Sequence, residues 1–372
     1  MLRQIAYEMQ SSKQGIKGNI IDRERLSKII TQFLKELEFD QPYQKAQSLI
    51  EQLRQRNFIL CHLGNDYYGF VHRTFLEYFC AFEIVNRFEK KRTLTEEELK
   101  TNVFGEHWRD KSWHEVLRLI TGMLGETVAG LMLNYLIEQE DETNSSANLI
   151  LAAQCLSEIR TQIKIKQTAI KLLQLLQEAA GNNLAPNIAS AIVNAIAQIW
   201  KADPNILDWL KSRALYGSES FVKQASVQMV AKFWKDALST LPWLKSIVQS
   251  DQESLVRLTA MYEVSDRWKT DTETLSWLKF LAQSEPDADV RGEAVKEVAR
   301  NWKTNPATLP WIKSIAINDS AISLAISEAV LQGWGDDPGT LSWLKSFAES
   351  VGSPTIRLYI RKKLFYLCEK FQ

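Results

Sequence analysis

Trp234-Lys235-Asp236-Ala237-Leu238-Ser239-Thr240-Leu241-Pro242-Trp243-Leu244-Lys245-Ser246 returns two periods later as Trp302-Lys303-Thr304-Asn305-Pro306-Ala307-Thr308-Leu309-Pro310-Trp311-Ile312-Lys313-Ser314. Trp200, Trp234, Trp268 and Trp302 stand 34 residues apart, and Trp334 follows after 32. Trp209, Trp243, Trp277, Trp311 and Trp343 keep the same intervals, nine residues behind the first set. A fixed period of this length is the signature of a solenoid, in which each unit buries its apolar face only against its neighbours.

Each unit reads as two helices. The first is expected to start near a threonine cap (Thr240, Thr274, Thr308, Thr340), with Pro242 and Pro310 in its first turn, where a missing amide costs little. The second carries an apolar residue every fourth position: Val256, Ala260, Val264, Trp268, then Val290, Ala294, Val298, Trp302, then Ile322, Ile326, Val330, Trp334. The tryptophans are expected in the core. Lys211, Lys245, Lys279, Lys313 and Lys345 form a column that either faces an acidic partner or is a solvated stripe. Lys223, Arg257, Arg291 and Arg357 start most second helices, with Ser323 the exception.

Upstream, Phe70-Val71-His72-Arg73-Thr74-Phe75-Leu76-Glu77-Tyr78-Phe79 follows a hairpin-like pair of β-rich runs, Phe58–Leu63 and Tyr67–Val71, around Gly64-Asn65-Asp66. Thr74 and Glu77 have capping-box spacing. Phe75, Tyr78, Phe79 and Phe82 recur at i, i+3, i+4, i+7, the mark of one face of a buried helix. Arg73 with Glu77 and Glu83 with Arg87 are four apart and expected on the outer surface. His72 sits just before the helix, where it either packs and caps or meets a phosphate at the positive helix end.

Before the hairpin, Asp22 is expected to cap a helix with apolar residues at Leu26, Ile29, Ile30, Phe33, Leu34 and Leu37. A second helix, from Tyr43 to Arg56, buries Ala46, Leu49, Ile50 and Leu53. A Ser/Gly/Lys linker ending at Asn19 precedes them. Helix, helix and hairpin make a winged-helix pattern. A DNA-reading role is not favoured, because the would-be recognition helix mixes Lys45, Arg54 and Arg56 with Glu51, and the wing tip carries Asp66.

Lys+Arg and Asp+Glu both number 45 among 372 residues, so no basic field points to nucleic acid. Cys61, Cys80, Cys155 and Cys368 stand singly, without metal-ligand spacing, and read as reduced thiols. No signal peptide is evident, and the apolar window Val116 to Leu136 reads as a buried helix pair; a soluble, cytoplasmic protein is expected. Glu106 to Glu115 concentrates polar residues, but His107 and His114 lack the i, i+3 or i, i+4 spacing of paired ligands; a loop and helix start are expected, with no metal. Thr95 with Glu98 forms another capping box, and Asp141 to Ser146 and Gly181-Asn182-Asn183 are breaks. The expected fold is mainly α: a winged-helix-like module with one β-hairpin (1–90), a helical connector (91–181) and a HEAT-like α-solenoid (182–372).

The run F-x-H-x-x-F-x-E-Y-F, Phe70 to Phe79, resembles the end of the winged-helix domain of prokaryotic NACHT-type STAND ATPases. Trp113-His114-Glu115-Val116-Leu117 is similar to the start of a following helix in that family, and Ile5-Ala6-Tyr7-Glu8-Met9 to its opening segment. Asp251, Val256 and Arg257 resemble the HEAT-repeat signature, whose acid and base form a ladder between units; here the acid is less regular than the base. The resemblance implies that His72 faces the bound nucleotide of a resting state, supported by Phe70, Phe75, Glu77, Tyr78 and Phe79. It also implies that the solenoid senses a protein or other trigger. The chain departs from the family in lacking G-x-x-x-x-G-K-[ST] and a magnesium-holding acidic strand, so no catalytic residue is expected, and ATP or ADP enters only through a separate or missing nucleotide-binding domain. A non-enzymatic sensor of a signalling or antiphage-defence system is the leading expectation. Its rivals are a free-standing HEAT scaffold, such as a lyase- or chaperone-like protein-binding module, and a glycosylase-like enzyme on HEAT-like helices, which would need a basic groove.

Overall fold

Asp22, spaced three residues before Arg25, accepts that amide at 2.9 Å and starts the first long helix, as its spacing predicts. We describe a computed structural model covering all residues except 13–18, 56–58, 141–145, 183–184, 351–353, 355–356, 360 and 363–372. It is mainly helical, with one small sheet. The expected Ser/Gly/Lys linker, the end of the recognition helix at Arg56, the start of the first β run at Phe58, most of the Asp141 break, Asn183 and Cys368 lie outside the described residues. The chain divides into two compact units, Met1–Ile199 and Trp200–Gln372. The helix Pro186–Ile199 thus falls in the first unit, whereas the expected solenoid boundary lay before it.

The first unit opens with α1 (Leu2–Ser11), β1 (Ile21–Asp22), α2 (Arg23–Glu36), α3 (Pro42–Gln55), β2 (Leu60–Gly64), β3 (Tyr67–Phe70) and α4 (Arg73–Glu89). The hairpin forms as expected, with Leu60 opposite Phe70. Asn65 and Asp66 both take positive φ, at 49° and 59°, the twist that a two-residue turn needs between right-twisted strands. A third strand was not foreseen. Ile21 pairs with Tyr68, giving the order β1-β3-β2. Two residues are too few to show a period of two, so β1 left no signal. Asn19 fastens it by donating to the Phe70 carbonyl at 3.0 Å and accepting from the Phe70 amide at 3.2 Å.

Helix α4 corrects three expectations. His72, not Thr74, is its N-cap residue, and no side chain caps it; Glu77 instead accepts from Arg73 at 2.7 Å. The buried face is Leu76, Cys80, Ala81, Ile84 and Val85, packed against α1, while Phe75 and Tyr78 are 37% and 44% exposed. The i, i+3, i+4, i+7 pattern identifies a single face but not the medium it meets. Finally, Glu83 does pair with Arg87, at 3.1 Å, but it is buried at 1% exposure. Arg3 at 3.7 Å and Lys91 at 3.8 Å complete its counter-charge.

The unit continues through α5 (Glu96–Glu98), a π-helical turn (Leu99–Gly105), α6 (His114–Met123), α7 (Glu126–Ile137), α8 (Ala147–Glu158), α9 (Lys166–Ala179) and α10 (Pro186–Ile199). The Thr95–Glu98 capping box is formed. Among the described residues no single helix is long and apolar enough to cross a membrane. Gly130, inside α7, lies where a Cβ would sit 2.5 Å from the Ile165 side chain. Gly130→Ala is therefore expected to lose about 1–3 kcal/mol through overpacking, despite alanine's better helix propensity. A urea melt of the variant that matched or exceeded the parent midpoint would contradict this.

The second unit stacks helix pairs. First helices are α11 (Pro204–Tyr216), α13 (Thr240–Ser250), α15 (Thr272–Ser284), α17 (Thr308–Asn318) and α19 (Pro338–Ser350). Second helices are α12 (Ser220–Phe233), α14 (Ser254–Arg267), α16 (Ala288–Asn301) and α18 (Ser323–Trp334). The second helices pack directly on one another, and Val256, Ala260, Val264, Val290, Ala294, Val298, Ile322, Ile326 and Val330 are buried as their spacing predicts.

The tryptophans are placed differently from expectation. They are partly buried and frame a core whose centre is Val, Ala, Leu and Ile. The threonines are not caps either. Thr240 and Thr308 are fully buried and donate to the carbonyls of Trp234 and Trp302, at 2.7 and 2.8 Å. They close the turn from one unit into the next, while Asp203 and Asp271 cap α11 and α15 through their side chains.

Candidate functional site

His72 precedes α4 in an extended conformation (φ −128°, ψ 139°), and its exposed ring lies 6.0 Å from that of Phe75. No side chain caps this end of the 17-residue helix; the Phe75 amide turns back to the His72 carbonyl at 3.0 Å, which leaves the Arg73 and Thr74 amides without a partner among the described residues, beside the imidazole. Behind it, Val71, Phe75 and Tyr78 are exposed, and Phe79 and Phe82 half-buried. Tyr78 contacts Phe79 and Phe82 at 5.6 and 6.1 Å, and buried Phe70 backs Phe79 at 6.0 Å. Glu77, also buried, holds Arg73, whose guanidinium reaches the Ser112 carbonyl at 3.2 Å. The motif residues are thus brought together: Phe70 and Glu77 support from within, and Phe75, Tyr78 and His72 face out.

The other imidazoles are occupied, His62 packing edge-on to Tyr68 at 5.2 Å. His107 stacks on Trp113 at 3.7 Å with 6° between the planes, and His114 Nε2 meets the Trp108 carbonyl at 2.8 Å. Burial lowers both pKa values, so both rings favour the neutral form. No group of three or more potential metal ligands occurs among the described residues.

In the solenoid the expected acid–base ladder runs through three successive junctions. Lys223 pairs with Glu253 at 2.8 Å and with Asp251 at 4.0 Å. Arg257 pairs with Asp287 at 2.6 Å and with Glu285 at 3.3 Å, and Arg291 with Asp319 at 2.7 Å. Asp251, Glu285 and Asp319 are themselves one period apart, a regular acidic column that mixed Asp and Glu concealed in the sequence. The basic partners hold the carboxyls of Glu253 and Asp319 below the usual range. Arg357 is half-buried in the last described turn.

Four members of the lysine column share one arrangement. Their ammonium groups lie over the tryptophan of the next unit: Lys211 over Trp243 at 5.6 Å, Lys245 over Trp277 at 5.5 Å, Lys279 over Trp311 at 5.0 Å and Lys313 over Trp343 at 5.3 Å. Lys345 is exposed. Such a rung contributes about 0.5–1 kcal/mol at an exposed site.

Sequence reading also missed a polar seam between second helices. Ser265 donates to buried Glu297, whose pKa burial raises, and Asn301 donates to Ser265 at 2.7 Å. Tyr262 bonds Glu293 at 2.8 Å, and Lys296 bridges Glu293 and Glu328 at 2.8 and 2.7 Å. Apart from Lys296–Glu293, which is an i, i+3 pair, these partners are 31 to 36 residues apart along the chain, so no local spacing announces them. No protein-family model matches the chain, and no curated protein matches it in sequence.

Proposed function

We propose that this chain is a non-enzymatic sensor and regulatory module of a NACHT-HEAT-type signalling system, one that serves in antiphage defence. The α4 end docks on a nucleotide-binding domain, and the solenoid recognises a protein trigger. The observation that carries the reading is the outward-facing edge of α4: an uncapped helix start, an exposed imidazole, and an aromatic strip of Phe75 and Tyr78. Open amides at a helix start suit a phosphate, and exposed aromatics suit a protein surface that excludes water around it. On this reading His72 reads the phosphates of a nucleotide held by the partner domain, in the cytoplasm.

The alternative, a free-standing HEAT-repeat scaffold or lyase- or chaperone-like module, uses only the solenoid and leaves the α4 edge without a role.

The test is a photo-crosslinking residue at position 75, activated in cells of the source organism. The reading expects capture of a P-loop ATPase domain, reduced severalfold by His72→Ala. Capture of proteins without a P-loop, or a yield indifferent to His72, would defeat it.

A further inference from the structure

The sheet of the first unit runs in the order β1-β3-β2, so β2 is an edge strand. Its neighbours fix the direction of its backbone groups. The Val71 amide donates to the Ile59 carbonyl at 2.9 Å, so that carbonyl faces β3. Phe70, opposite Leu60, spends both its amide and its carbonyl on Asn19, on the β1 side. By the alternation of an antiparallel ladder, Leu60 and His62 turn their own amides and carbonyls outward. Among the described residues no hydrogen bond reaches these outward groups.

An open edge is a template for another strand, and proteins ordinarily guard it with charge, proline or a bulge. Ile59 to Gly64 contains no charged residue and no proline. The one irregularity of its ladder, between His62 and Gly64, lies at the turn end. Both flanks of the edge are apolar. On the outer face Leu63 is 53% exposed and lies over Gly69, where a Cβ would come within 2.9 Å of it. On the inner side, where α1 and α3 meet Leu60, an open hollow of about 290 Å³ is lined by Leu2, Leu49, Leu53, Ile59 and Leu60.

We infer that β2 is the seam of a homodimer, pairing antiparallel with the β2 of a second copy about a two-fold axis at Cys61. A two-fold interface sets the same patch against itself, and this strand is its own complement. Leu60 then lies opposite the partner's His62 and exchanges both main-chain bonds with it; His62 does the same with the partner's Leu60. Cys61 meets the partner's Cys61 in the non-hydrogen-bonded position, with Cα atoms about 4.5 Å apart. Leu63 meets the partner's Ile59. No like charges are opposed, and each outward group of Leu60 and His62 finds its counterpart. An axis at His62 would instead set Leu60 against the partner's Gly64, at the irregular end of the ladder. A short edge alone buries little surface, so the apolar flanks supply the rest of the contact. The inference goes beyond the sensor reading and uses neither the α4 edge nor the solenoid.

The test is made on the full chain in solution. Sedimentation equilibrium should show monomer and dimer in a concentration-dependent balance. Diamide, which takes up the hydrogens of two thiols, should join two chains through a disulfide that dithiothreitol releases, because the expected Cα spacing lies within the roughly 4.4–6.8 Å that such a bond spans. Cys61→Ser should abolish that link. Cys61→Lys and Cys61→Asp, each alone, should weaken the dimer on the order of tenfold or more, and mixing the two variants should restore it. Circular dichroism of each variant should match the parent. A chain that stays monomeric at high concentration leaves the edge to another protein or to none, and would overturn the inference. So would a diamide link that survives Cys61→Ser, or a mixture that associates no better than its components. None of these results involves position 75, so this inference and the α4 reading fail separately.

Discussion

Arg257→Ala is expected to destabilise the solenoid by about 3–5 kcal/mol, because it strands a buried carboxylate without its counter-ion. The Arg257 side chain is 12% exposed and that of Glu285 is 9% exposed, so solvent cannot replace the lost charge. The guanidinium also donates to the Asp251 carbonyl at 2.9 Å and to the Gln252 carbonyl at 3.3 Å, pinning its own unit's loop while it reaches the next. Arg257→Lys should recover only part, since one ammonium cannot serve two carbonyls and two carboxylates in fork geometry. The check is urea denaturation followed by tryptophan fluorescence. A midpoint within about 0.5 kcal/mol of the parent would show that the junction is carried by apolar packing alone. The pH dependence has a definite sign. Glu253 and Asp319 titrate below the usual carboxylate range, so their contribution is present above the unfolded-state pKa and is lost as pH falls through the lower folded-state values.

Trp108→Ala is expected to cost the first unit about 3–5 kcal/mol. Trp108 is 1% exposed, and Arg109 covers its ring at 4.1 Å. Its amide closes on Phe104 at the end of the π-helical turn, and its carbonyl meets His114. One indole thus fills the space where the π-turn hands over to α6. Trp108→Phe should lose less, by keeping most of the ring volume. Hydrogen exchange would read the effect locally: protection should fall across α6 and the π-turn. Unchanged protection there would mean that the cavity collapses without harm.

The contrast between these two sites marks what the chain discloses in one dimension. The solenoid period was legible because each unit repeats its packing problem, and repetition needs no partner to be recognised. The ladder bases were legible for the same reason. The lysine rungs were not, because a contact from Lys245 to Trp277 depends on how far one helix stands from the next. Around Trp108 the sequence shows a polar run, and nothing in Glu106 to Glu115 says that both of its indoles, Trp108 and Trp113, lie inside. On α4 the spacing identifies an aromatic face without saying which medium it meets; the face that is buried is the one beside it, Leu76, Cys80 and Ile84. Glu83 shows the limit of the four-residue rule, which reports that two charges can meet and is silent about depth. The candidate site itself was half visible: its residues were found, and their direction was not.

The forward direction of both rungs has a consequence for how such an array can change its length. Each unit supplies a lysine and a base to its successor and a tryptophan and an acid to its predecessor. A duplication or excision of one whole period therefore rejoins every donor to an acceptor, whereas a cut inside a period orphans one of each. Ser323 stands where other units have a base, so at that junction the acid–base rung is missing among the described residues while Lys313 still covers Trp343. A gene built this way can gain or lose 34-codon cassettes by unequal recombination and still encode a closed stack. The array is thus free to be re-cut in whole units.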